Sequence, residues 1–400
     1  MSIFKIYTDI NMILIDKPYV SDYLISVIKE NNLPIVATPI AKKMIPDDSL
    51  NWIQEKEAKE TIDNNINTPI YSNSENSIGW IEQNLNTPDL IENIQLFKNK
   101  IKFRDLLKES YPNYYYKGVN YNQLELIQPT QINFPVILKP SIGFFSIGVH
   151  KIDNIPEWSD ALKTIKNDIK NLSAGYPKEV IDTTDFIIEE YIEGEEYAID
   201  AYFDKNGYPV VLNILHHRFS SDKDVSDRVY STAEEIIVEY EQEILDFLKL
   251  IGKKTELKNF PLHLEVRIGS NRKIYPIEVN PLRFGGWCTT ADLSWFAYGI
   301  NAYTYFLQNK RPNWHQIFKT RKDKKYSIIV LDNNSGINAS NIKHFDYEKL
   351  TADFDHILNL RKVNYNQYPI FGFLFVETTP GNEDELNHIL TSNLKKYIVS

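Results

Sequence analysis

Two short apolar segments near residue 270 constrain this chain more than any other feature. Residues 263–268 (HLEVRI) and 274–279 (IYPIEV) each read as a strand, with a polar turn around Asn271 between them. Period-two geometry puts Glu278 and Asn280 on one face and Ile277 and Val279 on the other. If the two segments pair as a hairpin, Glu265 comes beside Glu278. Three oxygen donors on one face suit Mg²⁺, which favours carboxylates together with substrate phosphates. Carboxylates crowded in this way are costly without a cation. The alternative is the exposed polar face of an edge hairpin. The loop that follows, Pro281-Leu-Arg283-Phe-Gly-Gly286, is not ordinary surface sequence and tells against it.

Three earlier segments carry further polar patterns. Lys100 and Arg104 are one helical turn apart and can face one anion, or stand as two solvated charges. Residues 134–139 (FPVILK) read as a strand with Pro135 at its start, where a missing N–H is tolerated. Gly143 and Gly148 flank a tight loop beyond it. Glycine lets backbone N–H groups approach a phosphate, and Lys139 would add a point charge; the alternative is a surface lysine before a turn. Residues 189–196 (EEYIEGEE) place acidic, aromatic and apolar groups at a strand end. Backbone groups there can read a purine edge, and Glu196 can accept from ribose hydroxyls. A solvated acidic turn is the competing reading.

The chain of 400 residues is too long for one small domain. Its first ~98 residues show a βαβ pattern: strands at 12–15 and 35–37 flank a helix at 22–31, with Tyr23, Leu24, Val27 and Ile28 at helical spacing. No glycine-rich turn follows the first strand, so no dinucleotide is expected. Residues 61–82, rich in Asn, Ser and Thr, read as irregular surface. Helical pieces follow at 85–108, then strands at 186–190, 197–203 and 210–215, the last two joined at Asn206-Gly207. Helices are expected at 156–171, 234–251 and 290–308. Residues 325–400 read as a further small α/β piece, with strands at 326–331 and 371–376 and helices at 347–360 and 383–397.

A net charge of −10 with pI near 5.4 argues against nucleic acid as a partner. The one cysteine, Cys288, and a start that does not read as a signal peptide lead us to expect a reducing cytoplasm. The longest apolar runs are strand-length, short of the roughly 20 residues of a membrane span, so no membrane partner is expected.

The four motif segments, in this order and at these separations, resemble the ATP-grasp superfamily of carboxylate–amine and carboxylate–thiol ligases. The resemblance covers about residues 98–310. It implies an α/β chain of α+β lobes: an N-terminal α/β domain at 1–98, an ATP-grasp domain at 99–320 with a central lobe near 120–195, and an α/β extension at 321–400. It implies that Lys100 and Lys139 contact ATP phosphates under a flap carrying Ser141, Gly143, Ser146 and Gly148. Glu189 would approach the adenine amino group, with the backbone of Glu190, Tyr191 and Ile192 along the base and Glu196 on the ribose. Glu265, Glu278 and Asn280 would hold one or two Mg²⁺ ions, with Mn²⁺ as an alternative. Arg283 would meet the acyl phosphate or a substrate carboxylate. The implied reaction joins a small carboxylate to an amine, amino acids or peptides among them, through an acyl phosphate. A phosphotransferase and a non-catalytic nucleotide-binding module are the alternatives, and a homodimer is an expectation.

The flap departs from the family in carrying Phe144 and Phe145 at its tip. His216, His217 and His263 titrate in the range of a general base. We expect His263 and Arg267 on the substrate side, because both share a strand face with Glu265. Arg218 or Arg228 would capture a substrate carboxylate or be solvated.

Overall fold

The structure is a computed structural model describing residues 11–143, 148–172, 182–221, 224, 226–379 and 381–399. The flap residues Phe144, Phe145 and Ser146 lie outside the described residues.

The N-terminal unit is a parallel sheet in the order β3-β2-β1-β4, from β1 (Met12–Leu14), β2 (Ile35–Val36), β3 (Trp52–Ile53) and β4 (Ile70–Ser72). Parallel neighbours need a crossover, and helices α1 (Asp22–Glu30), α2 (Pro39–Met44) and α3 (Glu55–Asn64) supply it. Ser21 caps α1 by accepting from the Leu24 amide, and Leu24, Val27 and Ile28 bury its inner face. The stretch 61–82 is not irregular surface as expected: it holds the end of α3, all of β4 and most of α4 (Ile78–Asn84). The three residues of β4 are all buried, and a strand covered on both faces shows no alternation to read. Helix α5 (Pro88–Lys98) follows, then α6 (Lys100–Leu107), capped by Asn99, whose side chain accepts from the amides of Ile101 and Lys102.

A small antiparallel sheet comes next in the order β5-β8-β6-β7: β5 (Tyr116–Asn120), β6 (Val136–Ile142), β7 (His150–Ile152) and β8 (Asp182–Glu190). With α7 (Ile155–Leu172) it forms a lobe with its own core, built on Val136, Leu138, Ile152, Trp158 and Ile188.

The main sheet has eight antiparallel strands in the order β13-β12-β9-β10-β11-β14-β17-β16. They are β9 (Glu195–Phe203), β10 (Pro209–Arg218), β11 (Val229–Ala233), β12 (Phe260–Ile268), β13 (Ile274–Pro281), β14 (Lys325–Asp332), β16 (Ile357–Lys362) and β17 (Ile370–Thr378), with β15 (His344–Phe345) in a separate two-stranded ribbon with β18 (Ile398–Val399). Helix α8 (Glu234–Thr255) packs on β10, and α9 (Thr289–Tyr298), α10 (Ala302–Leu307) and α11 (Trp314–Phe318) lead to β14. Residues beyond 321 therefore extend the main sheet. The helix expected at 347–360 ends early as α12 (Tyr347–Thr351), and its second half is the edge strand β16. The helix expected at 383–397 stops as α13 (Asp384–Thr391), with Leu394 in the left-handed region at φ 59°.

The N-terminal sheet and most of the main sheet share one continuous apolar core. Its seam passes beside the loop after β13: the Ser72 amide donates to the Leu282 carbonyl at 2.7 Å, and Tyr71 packs against Phe284 and Tyr303. Among the described residues no helix is long and apolar enough to cross a membrane.

Candidate active site

The hairpin of β12 and β13 puts Glu265 opposite Glu278 and His263 opposite Asn280. Directly opposed residues have Cβ atoms about 4.5–5.5 Å apart, and like charges there repel. Burial and the neighbouring Glu278 charge push the Glu265 carboxyl up. Burial would raise Glu278 too, but Lys100, with Nζ 2.7 Å from Oε2, holds it down to about 2. Asn280 Nδ2 donates to Glu278 Oε1 at 3.1 Å. Two facing glutamates and an amide oxygen, one carboxyl disfavoured for want of positive charge, fit a divalent cation. Among the described residues no three His, Cys, Asp or Glu side chains form such a group, and the Asn280 amide oxygen is a candidate third donor beside the two glutamates.

A register shift falls between Glu265 and Val266, leaving Ile277 without a partner on β12. Such a bulge re-aims side chains. Ile277, expected to bury the far face, instead lines the cleft between the small lobe and the main sheet.

That cleft encloses about 130 Å³. Lys100, Lys139, Gly143, Glu189 and Glu190 line it, as do Tyr191, Ile192, Glu196, Glu265 and Glu278. Ser141 and Gly148 do not. Ser141 is buried, and the positive φ of Gly148 (73°) turns the chain back over Pro140. Glu189, read as an adenine contact, spends its carboxylate on protein cations: Arg104 Nε at 2.9 Å, Arg104 Nη2 at 3.3 Å and Lys139 Nζ at 2.7 Å, with the Tyr114 hydroxyl at 3.0 Å. Arg104, open in sequence between an anion contact and a solvated charge, is buried, and its guanidinium reaches Glu189 of β8 and the Ile277 carbonyl of β13. Burial, with Arg104 and Lys100 nearby, lowers the Lys139 ammonium despite Glu189.

Burial favours the neutral Glu189 carboxyl, but Arg104 and Lys139 outweigh it and hold it at about 2, against an ordinary 4.5. A depressed folded-state value stabilises the fold above the unfolded value and loses that contribution as pH falls through the folded one. Glu189→Gln is therefore expected to lose stability less steeply than the parent between pH 4.5 and about 2. Thermal melts across that range test it, and parallel slopes would contradict the pairing.

His263 and Arg267 part company. Both lie on the face of Glu265, but four residues of strand cover roughly 13 Å. Arg267 ends in the first cleft, donating to Glu196 Oε2 at 3.0 Å and to the Ile192 carbonyl at 2.9 Å. His263 lines a second cavity of about 80 Å³ with Asn280 and Arg283. Its Nδ1 lies 2.7 Å from Asp200 Oδ1, which also accepts from the Gly285 amide at 3.0 Å. Burial opposes charge on His263, yet Asp200 and Glu265 push it up to about 9, which makes it a hydrogen-bond donor at neutral pH. The two cavities meet at Asp227, Glu265 and Glu278, which line both.

Residues 132–291 match a family model described as the ATP-grasp domain. The chain carries an ATP-grasp domain. No curated protein matches its sequence. Among solved structures it resembles the L-amino acid ligase from Bacillus licheniformis, with TM-score 0.65 and 16% identity over 97% of this chain and 98% of that one. It also resembles N5-carboxyaminoimidazole ribonucleotide synthetase from Thermotoga maritima, with TM-score 0.59 and 14% identity over 97% and 98%. A third is the biotin carboxylase domain of Hydrogenobacter thermophilus 2-oxoglutarate carboxylase, solved with MgADP, with TM-score 0.57 and 12% identity over 92% and 86%. At these identities the likeness establishes the shared fold.

Around the ATP-grasp domain, several polar side chains take places the sequence did not reveal. Arg283 faces the second cavity, but its guanidinium is held by Glu75 of the N-terminal unit, with Nη2 to Oε1 at 2.9 Å, and by the Phe284 carbonyl at 2.7 Å. Lys98 pairs with the other Glu75 oxygen. Glu75 has no motif around it, and 208 residues separate it from Arg283. Arg218 pairs with Glu383 at 3.0 Å and Arg228 with Asp332 at 2.6 Å, so both anchor the C-terminal segment instead of capturing a substrate. His216 pairs with Glu195 outside both cavities. His217 lines the first, with Nδ1 2.9 Å from Glu196, so that carboxylate is braced by His217 and Arg267 together.

Proposed function

We propose that the chain is an ATP-dependent ligase joining a small carboxylate to an amine through an acyl phosphate. The observation that carries this reading is that the cleft between the small lobe and the main sheet and a separate small cavity meet at a facing pair of glutamates. A γ-phosphate lying over Glu265 and Glu278 would be within reach of an acceptor in the second cavity.

Lys100 and Lys139 are placed to neutralise phosphate charge, and Glu190, Tyr191 and Ile192 to border the base, with Glu196 toward the ribose. Glu265, Glu278 and Asn280 would hold Mg²⁺, which when bound neutralises charge on the transferring phosphoryl group. In the first step a carboxylate oxygen attacks the γ-phosphorus and the bond to ADP breaks. His263, as donor, and the Arg283 charge would orient that carboxylate. In the second step the amine nitrogen attacks the acyl carbon, phosphate leaves, and the amine proton ends on the phosphate.

The test is ADP release with MgATP, a panel of carboxylic acids and hydroxylamine as the nucleophile. Acid-dependent ADP release with an acyl hydroxamate as product supports the ligase. A stable phosphorylated acceptor that hydroxylamine does not consume overturns it in favour of a phosphotransferase. No binding of MgATP by calorimetry would overturn both.

A further inference from the structure

The second cavity has two unlike walls. One is polar: Glu265, Glu278, His263 and Asn280 of the β12–β13 hairpin, with Arg283 and Thr290 beyond it and Asp227 and Tyr230 beside it. The other is apolar and comes from the segment beyond residue 321: Ile328 and Val330 of β14 and Phe373 of β17. Ile328 and Val330 are two apart on one strand and share a face. Phe373 is the register partner of Val330, so the three side chains form one continuous patch. All three are buried, and all three line the cavity.

The wall is held in place independently of the hairpin. Arg361 on β16 donates to the Trp287 carbonyl at 2.7 Å and to Asp292 Oδ2 at 2.6 Å, both buried, tying the sheet edge to the loop that closes the cavity. Trp287 and Cys288 in that loop both sit in the left-handed region, at φ 57° and 60°. Two adjacent non-glycine residues there need a surround that imposes the conformation. Phe373 packs against Trp287 at a ring separation of 5.6 Å. The loop and the apolar wall are thus one assembly.

We infer that Ile328, Val330 and Phe373 form the side-chain subsite for the carboxylate substrate, and that this substrate is a small acid with a short aliphatic tail. The inference rests on the ligase reading and names the substrate class of that site. Its carboxylate points to Arg283 and His263 and its tail to the apolar wall. A charged tail lying against Ile328, Val330 and Phe373 would lose its hydration, and these three side chains offer it no polar group in return. The cavity, about 80 Å³, is small beside the roughly 150 Å³ that encloses benzene, so the tail is a few carbons long.

The experiment measures ADP release and hydroxamate formation with MgATP and hydroxylamine. The acids run from acetate to 4-methylpentanoate and from glycine to leucine, against succinate, aspartate and lysine. Short aliphatic acids are expected to exceed charged-tail acids in kcat/KM by at least about tenfold, since a single methylene in an apolar pocket discriminates by roughly 10- to 200-fold. Phe373→Leu and Val330→Ala, each checked by its melting curve, are expected to move the preferred tail to a longer one with the KM for ATP unchanged. ADP release with charged-tail acids at equal or higher kcat/KM overturns the inference and leaves the ligase reading standing. So does an unchanged order of acids in two folded variants. No ADP release with any acid overturns the ligase reading, and the inference with it.

Discussion

Glu278→Gln is expected to lower the rate of acid-dependent ADP release by about a thousandfold or more. A divalent cation at a transferring phosphoryl group is worth several kcal/mol of charge stabilisation, and each ~1.4 kcal/mol is tenfold in rate. Glu278 is the member of the facing pair held down, to about 2, by Lys100. The amide keeps the shape but removes the charge that a cation would find there. Asn280→Ala should cost less, because it removes a neutral donor. Steady-state assays at saturating MgATP, on variants shown to be folded by circular dichroism, separate the two. A Glu278→Gln enzyme within tenfold of the parent would mean that the hairpin does not hold the metal.

Arg104→Met should cost about 3–5 kcal/mol of stability, because it leaves a buried carboxylate short of a partner. Arg104 is 2% exposed and donates through two nitrogens to Glu189, itself 3% exposed, and through Nη2 to the Ile277 carbonyl at 3.0 Å. Lys139 remains beside Glu189 and limits the loss. The pair also ties α6 to the small lobe and to the β13 bulge. Urea denaturation of Arg104→Met, Glu189→Gln and the double variant forms a cycle. The double variant should lose less than the sum of the singles by about 1 kcal/mol or more. Additive losses would show that the contact does not couple the two residues.

These two predictions differ in how far the sequence anticipates them. The facing of Glu265 and Glu278 follows from two strands joined by a short turn, a local rule that holds there even though the bulge breaks the alternation of β13 at Ile277. The bulge at Ile277 has no such local signature. The partner of Glu189 was not readable either: Arg104 lies 85 residues away, and helical spacing says only which residues share a face. Glu75 and Arg283 meet through packing of the N-terminal unit against the loop after β13, which no motif records. The apolar wall of the second cavity escaped notice for a related reason. Ile328, Val330 and Phe373 look like ordinary strand interior until the sheet order sets them beside the hairpin residues' cavity.

The misread elements were those where periodicity is weakest. A three-residue buried strand such as β4 offers too few positions for any period. In 347–360 the apolar residues Leu350, Phe354, Ile357 and Leu358 continue a helical spacing across Asp353 and Asp355, where the chain turns into β16. Longer elements such as α8 and β12 gave both period and boundary to within a few residues.

The order of strands in the main sheet has a consequence for the chain as it is made. Val229 of β11 pairs with Ile329 of β14, yet one is synthesised long before the other. At about 5–20 residues per second the interval is roughly 5–20 s. Throughout it the outer edge of β11 offers unpaired N–H and C=O groups, a template for pairing with another chain. A nascent or truncated polypeptide that stops short of β14 keeps that edge open, and the last quarter of the sequence is what closes it.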